Sequence, residues 1–441
     1  MTQRLPYNHL VEDCLAARIG DNGLSSAHLD NLLNLLDGAH NELCANYKSG
    51  ALPLLKLPEA REDLKILQPI AARYRSDFSD VVILGTGGSS LGGKALYEMA
   101  RPKKAKPNEG WPKLHIVTNI DPFSFGALFD NLDYSTTGFI VISKSGGTVE
   151  TVMQFLSILP RLIETVGVGG LKNSVTLITE PGDNPLRRIG VKYNIPILDH
   201  DPNIGGRYSV LSLVGMLPAM IAGLDAVEVR RGAEIVLQGA LESKKHEDCP
   251  ASVGAAISVG LNQHKNITST IMLAYSDRLG SLARWYRQLW AESLGKQGQG
   301  TTPIYGTGPV DQHSQLQLWL DGPNDKMFTV LGGPLVEGSS PIDPRLADDP
   351  TLSYMNGRTM GDLMEASRVA TAETLASAGK PVRQITVDEI NATSMGALMM
   401  HFMLETIFAA SLLKVDPYDQ PAVEQGKILA RQYMTEMGTK A

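Results

Sequence analysis

The feature that most constrains this chain is a unit that recurs from about residue 78: a short apolar run, a glycine-rich or polar turn, then a helical pattern. "DVVILGTGGSSLGGKALYEMA", "KLHIVTNIDP", "GFIVISKSGGTVETVMQFLSIL", "SVTLITEPGDNPLRRIG" and "IPILDH" follow one another with little between them. After a helical stretch to about 250 the theme returns, with "NITSTIMLAYS" as strand, "DRLGSLARWYRQLWAESLG" as helix and "KMFTVLGG" as strand. Strands alternating with helices bury both sheet faces, which predicts an α/β fold with parallel sheets. The expected organisation is two α/β sandwich domains, 76–235 and 236–413, with a helical N-terminal extension over 1–75 and a C-terminal helix over 414–441. No low-complexity linker divides them, so the two sandwiches should pack closely.

Bulk properties narrow the function classes. Forty Lys plus Arg against 47 Asp plus Glu give a net charge of −7. A chain of that balance has no basic footprint for nucleic acid or an anionic membrane, so any anion site must be local. Three cysteines, Cys14, Cys44 and Cys249, have no metal-ligand spacing and imply no disulfide framework, which fits a cytoplasmic protein. The start, "MTQRLPYNHLVEDC", has no apolar core of a secretory signal. "LSLVGMLPAMIAGL" is too short to span a bilayer, and the apolar stretch around "MMHFMLETIFAASLL" contains His401 and Glu405, so it reads as a buried core helix.

Two turns stand out, because open α/β sheets bind ligands beyond the carboxyl ends of their strands. "ILGTGGSSLGGK" nearly matches two nucleotide motifs. A dinucleotide fingerprint starting at Gly85 ends on Ser90, and a P-loop starting at Gly88 has Ala95 where the metal-binding hydroxyl belongs. What survives is a glycine turn with Gly88, Ser89 and Ser90. The second turn, "SKSGGTVET", crowds Ser143, Lys144, Ser145 and Thr148 at a helix start. Hydroxyls and backbone N–H groups gathered there suit a phosphate ester held without a metal.

Reactive groups must come from elsewhere. In "GGRYS", Gly206 and Arg207 place a permanently charged guanidinium where the backbone can approach closely, which suits a developing oxyanion. On the helix "DRLGSLARWYRQLWAESLG", Leu279, Leu282, Ala283, Tyr286, Leu289 and Trp290 form an apolar stripe. Arg284, Gln288 and Glu292 form a polar column at i, i+4, i+8. Glu292 stands near the helix end, where the negative end of the dipole works against a second negative charge and favours proton uptake. His313 lies where a Gly/Pro-rich loop enters a helix. Gln420 and Lys427 fall on the C-terminal helix, and His401 belongs to the core.

Taken together, "GTGGSSLGG", "SKSGGTVET", "GGRYS", "ESLGK", "DQHSQLQLW" and "QPAVEQGK", in this order over about residues 78 to 435, closely resemble the glucose-6-phosphate isomerase (phosphoglucose isomerase) family. The resemblance implies two sugar-isomerase (SIS-type) α/β lobes, a homodimer, no metal or other cofactor, and interconversion of glucose 6-phosphate and fructose 6-phosphate. It places Gly88, Ser89, Ser143, Lys144, Ser145 and Thr148 on the phosphate side, with Gly206, Gln288 and Gln420 also binding substrate. It makes Glu292 the proton carrier, Arg207 the charge stabiliser, and His313, helped by Lys427, the ring-opening group, with His313 reaching the partner's site. Leu294 departs from the polar residue many members carry there, and the chain is shorter than the eukaryotic form. Two alternatives share these motifs. A bifunctional glucose/mannose phosphate isomerase would differ in pocket shape, whereas a non-catalytic sugar-phosphate sensor would not need Glu292, His313 and Lys427.

Overall fold

The apolar runs become strands of two five-stranded sheets. They were identified in a computed structural model that describes residues 4–100, 111–334, 339–346 and 349–438. In chain order they are β1 (Tyr7–Leu10), β2 (Asp80–Leu84), β3 (Lys113–Val117), β4 (Thr137–Ile142), β5 (Val175–Thr179), β6 (Ile197–Asp199), β7 (Ser269–Ala274), β8 (Thr302–Thr307), β9 (Lys326–Gly332) and β10 (Val382–Val387). The first sheet has the order β3-β2-β4-β5-β6 and is parallel throughout. The chain leaves β2 toward one edge and returns at β4 toward the other, so the turns after β2 and β4 diverge from adjacent strands. That divergence opens a crevice at the carboxyl ends of the strands.

The second sheet has the order β1-β10-β9-β7-β8. Its last four strands are parallel, but β1 pairs antiparallel with β10, Tyr7 opposite Val387. This corrects two expectations. The sheet is mixed, and the segment before residue 76, expected to be helical, supplies its edge strand. The helical pattern hid a four-residue strand whose pairing partner lies at the far end of the sequence.

One hydrophobic core runs between the sheets, from Tyr7 to Val415, and draws on the helices Glu62–Asp77, Leu91–Ala100, Ala226–Glu242, Asp277–Leu294 and Ala392–Leu413. Separate clusters cover the other faces of the first and second sheets. The helix Ala392–Leu413 is buried on nearly every side, as its unbroken apolar sequence predicts.

Its two polar interior residues belong to a buried network. Arg383 donates to Glu405 at 2.7 Å and to the Thr329 hydroxyl at 3.0 Å, with both ionic side chains fully excluded from solvent. His401 Nε2 stands 3.0 Å from Glu405 Oε2, and His401 Nδ1 shares a 2.9 Å hydrogen bond with Tyr7 of β1. The His9 ring, also on β1, meets the His401 ring edge-on. The network therefore fastens the edge strand to the core by polar contacts that water cannot replace.

Burial holds His401 below the ordinary histidine value, against the pull of Glu405. Burial also opposes the charge of Glu405, but Arg383 and His401 outweigh it and keep the carboxyl below its ordinary value. The unfolded chain thus takes up a proton at residue 401 below its ordinary value of 6.5 that the folded chain refuses. Stability should be full above that pH and fall as pH drops, with a second loss from Glu405 below 4.5. Urea midpoints should decrease from pH 7.5 to 5.5, and His401→Gln should flatten that decrease. Equal slopes in the two proteins would place the proton uptake elsewhere.

Candidate active site

The turn after β4 is built to stay open at its polar side. Gly146 has φ +62°, and a Cβ there would lie 1.8 Å from Asn184 Oδ1, so only glycine fits. Asn184 caps its own short helix by accepting from Arg187 N–H. Within the turn the Ser143 hydroxyl donates to Thr148 Oγ1 at 2.9 Å, and Ser145 Oγ accepts from Gly147 N–H at 3.3 Å. Thr148 is the N-cap of the helix Val149–Ser174, yet no side chain caps that helix. Its leading N–H groups have no side-chain cap, an arrangement suited to an anion. Lys144 turns away from this cradle, donating to Pro202 O at 2.7 Å, and so ties the turn to the loop that precedes Gly206.

The turn after β2 lies beside it. Gly88 is pressed backbone to backbone on Gly206; a Cβ at Gly88 would stand 2.2 Å from the Gly206 carbonyl carbon and 2.7 Å from Arg207 N. Ser89 closes this single turn of 3-10 helix and is partly exposed. Gln288, on the helix Asp277–Leu294, sits over Gly87. The glycine turn, the Gly206–Arg207 segment and the Gln288–Glu292 helix are thereby stacked against one another.

That helix folds as its stripe dictates, with Leu279, Leu282, Ala283, Tyr286, Leu289 and Trp290 all buried. On the polar column, Gln288 Nε2 donates to Glu292 Oε1 at 2.9 Å, while Arg284 leaves the column to stack over Tyr305. Arg207 meets Glu292 from the other side: Nη1 lies 3.5 Å from Oε2. Arg207 is only 2% exposed, and its remaining donors reach Ser293 Oγ at 2.8 Å, Gln420 Oε1 at 2.5 Å, Asp419 O at 2.8 Å and Pro417 O. The carboxylate of Glu292 is a third exposed, between Arg207 and Gln288, so it can meet a small molecule from solvent. The negative helix end anticipated near it is opposed by a fixed guanidinium. A carboxylate that can accept a proton, beside a cation that cannot lose one, is equipped to move a proton and hold the resulting charge.

The structure therefore brings together Gly88, Gly206, Arg207, Gln288, Glu292 and Gln420, with the 143–148 turn across the crevice. It gives His313 and Lys427 no hydrogen bond or ion pair to any of these residues. His313 follows β8 on an exposed turn, where Gln312 anchors the segment by donating to Tyr275 at 2.8 Å and to Ser367 O at 3.1 Å. β7 and β8 end level with one another, and the Asp277–Leu294 helix then runs back toward their beginnings. Glu292 and His313 thus stand at opposite ends of that helix, with roughly 22 Å of axis between Asp277 and Glu292. Lys427 lies on the helix Glu424–Gly438, exposed over nearly its whole length, and pairs with Glu424 at 2.6 Å. Sequence reasoning missed Ser293 and the carbonyls of Pro417 and Asp419 that hold Arg207. Ser293 adjoins Glu292 within "ESLGK", but only tertiary packing turns its hydroxyl onto the guanidinium. Among the described residues no group of three or more His, Cys, Asp or Glu could hold a metal ion.

Comparisons with known proteins agree with one another. The family model described as phosphoglucose isomerase matches residues 72–315. A glucose-6-phosphate isomerase of Rubrobacter xylanophilus is 37% identical over 390 residues, 88% of this chain and 90% of that protein. One of Thermus thermophilus is 34% identical over 412 residues, 90% and 94% of the two chains. A crystal structure of a hypothetical protein from Thermus thermophilus superposes with a TM-score of 0.80 at 32% identity, covering 92% of this chain and 96% of that one. A glucose-6-phosphate isomerase structure from Chlamydia trachomatis gives 0.81 at 18% identity over 99% and 90%, a likeness of fold.

The contact of Gly88 with Gly206 makes a specific demand on packing. Gly88→Ala should lower stability by about 1–3 kcal/mol, the usual penalty for an overpacked methyl, read as a lower urea midpoint at unchanged slope. Gly239→Ala, where a Cβ meets nothing within 4 Å, should not do so. Equal stability of the two variants would show that the segments part without strain.

Proposed function

The chain belongs to the phosphoglucose isomerase family, and from that premise we propose how its geometry serves the reaction it catalyses, the interconversion of glucose 6-phosphate and fructose 6-phosphate. One observation carries the reading: a buried, fully engaged Arg207 lies against the half-open carboxylate of Glu292, and its neighbour Gly206 lies on the glycine turn of the first sheet. The phosphate is assigned to the 143–148 turn and the helix start behind it, with Ser145, Thr148 and Ser89 as hydroxyl donors. The sugar then extends across the Gly88–Gly206 contact toward Glu292.

In the open-chain sugar, the carbon next to the carbonyl loses a proton to Glu292, giving an enediolate with the charge on the former carbonyl oxygen. Glu292 returns that proton to the neighbouring carbon while the hydroxyl proton of the first carbon passes to the former carbonyl oxygen, so aldose becomes ketose with no net gain or loss. Arg207 holds the oxyanion that forms between the two steps, because it cannot give up its own proton. Gln288 fixes the carboxylate through its 2.9 Å hydrogen bond, and Gln420 presents its amide beside Arg207.

Ring opening needs a proton delivered to the ring oxygen and one removed from the anomeric hydroxyl. His313 is the group assigned to it, from a second copy of the chain. Two observations support that assignment: His313 stands at the far end of the helix from Glu292, and apolar side chains around it are unusually bare, Val310 at 62% and Leu318 at 53% exposure. A homodimer would cover them. Lys427, assigned to help His313, lies on an exposed helix, where its ammonium pairs with Glu424. Three free thiols suit a reducing cytoplasmic setting.

Glu292→Gln should lower isomerisation by at least ~10²–10⁴-fold and leave inhibition by inorganic phosphate intact. The Ser145→Ala, Thr148→Ala double variant should instead weaken phosphate inhibition, by about 1.5–3 kcal/mol for each hydrogen bond lost. The reverse pattern would reject both assignments.

Dimer sharing is tested by refolding Glu292→Gln and His313→Ala chains together. Random reassortment makes about half the dimers mixed, and each mixed dimer has one intact site if His313 acts across the interface. Roughly a quarter of wild-type activity should then return by that count. Mixed dimers without activity would exclude the shared site.

A further inference from the structure

We infer that Lys296 is a positioning residue for the isomerisation: it ties the 416–419 segment to the end of the Glu292 helix and so fixes the direction of Arg207. The inference rests on the role given to Arg207 above. Lys296 follows Gly295, where the Asp277–Leu294 helix stops. Its side chain is 11% exposed, and its ammonium makes three contacts. It donates to Ser293 O at 3.0 Å, pairs with Asp419 Oδ1 at 2.9 Å, and donates to Asp416 O. An ammonium has three donors, so this one is fully used. A cation on the last carbonyls of a helix is also favoured by the helix dipole.

The opposite side of the same segment faces Arg207. Pro417 O and Asp419 O accept from Nη2, and Gln420 Oε1 accepts from Nη1. Ser293 belongs to both sets, its carbonyl taken by Lys296 and its hydroxyl by Arg207. Asp416 adds a local brace by accepting from Tyr418 N–H at 2.8 Å. Lys296 and Arg207 thus grip residues 416–420 from two sides, and no hydrogen bond or ion pair joins Lys296 to Glu292 directly. If Lys296 lets go, three of the acceptors that aim the guanidinium can drift together. A displacement of about 1 Å at a reacting group can lower a rate by ~10²-fold.

The test is steady-state kinetics on Lys296→Met and Asp419→Ala, with inhibition by inorganic phosphate measured in parallel. Lys296→Met should lower kcat by ~10–100-fold, with KM moving less than about threefold because the phosphate is anchored on the other sheet. Phosphate inhibition should not change. Asp419→Ala, half exposed and therefore safe for folding, should lower kcat in the same direction by a smaller factor. The double variant should be no worse than Lys296→Met, since both cut one tie. Lys296→Met that keeps more than half of kcat overturns the inference, as does loss of phosphate inhibition in step with kcat, which would mean general disorder. If Lys296→Met does not fold, Asp419→Ala decides alone, and an unchanged kcat refutes the tie. Arg207→Met separates the two levels. Full activity in that variant defeats the assignment of Arg207 itself, whereas an inactive Arg207→Met beside an active Lys296→Met defeats only the role of Lys296.

Discussion

The site depends on the desolvation of one guanidinium. Arg207 is removed from water without being able to neutralise itself, so the surrounding chain must supply its acceptors or leave a buried charge uncompensated. Those acceptors come from Glu292 and Ser293 at a helix end and from residues 417–420 near the end of the chain. Segments more than two hundred positions apart are thereby fixed around a single cation. The Gly88–Gly206 contact then fixes this assembly to the first sheet, because neither glycine carries an atom that could act as a cushion.

The arrangement divides labour between two kinds of sheet-and-helix geometry. The first sheet contributes the ends of adjacent parallel strands, where turns and helix starts present N–H groups suited to an anion. The second contributes the opposite feature, the carboxyl end of a long helix, where a carboxylate would be unwelcome without an opposing cation. Arg207, whose backbone belongs to the segment after the first sheet, supplies that cation. The two tasks proposed for the site, binding and proton transfer, are joined by this exchange rather than by either sheet alone.

Local periodicity made most of the fold legible. The glycine-punctuated apolar runs mark β2, β4, β5 and β7 directly, and the stripe from Leu279 to Trp290 orients the helix that carries Gln288 and Glu292. The turns 85–90 and 143–148 could be read because phosphate chemistry asks for hydroxyls and glycines that are contiguous in sequence. What could not be read depends on contacts between distant segments. β1 is four residues long and unremarkable until β10 lies beside it. Ser293, Lys296 and the carbonyls of 417–419 gain their roles only when the chain end folds back over the helix. Lys427 shows the converse: its motif is plain in the sequence, yet its helix faces solvent and its ammonium pairs with Glu424.

The pairing of β1 with β10 also bears on how the chain reaches this state. Tyr7 and His401 are 394 positions apart, yet they share a hydrogen bond inside the core. During synthesis, β1 emerges first and has no strand to join until β10 has left the ribosome. The first sheet has no such requirement, since β2 to β6 lie within one continuous stretch. The first sheet can therefore assemble as its strands appear, whereas the second must wait for β10. The closing of the second sheet carries the high contact order that makes such steps slow and leaves an unpaired edge exposed meanwhile. A chaperone that covers β1 until β10 appears would protect the edge that this pairing leaves open.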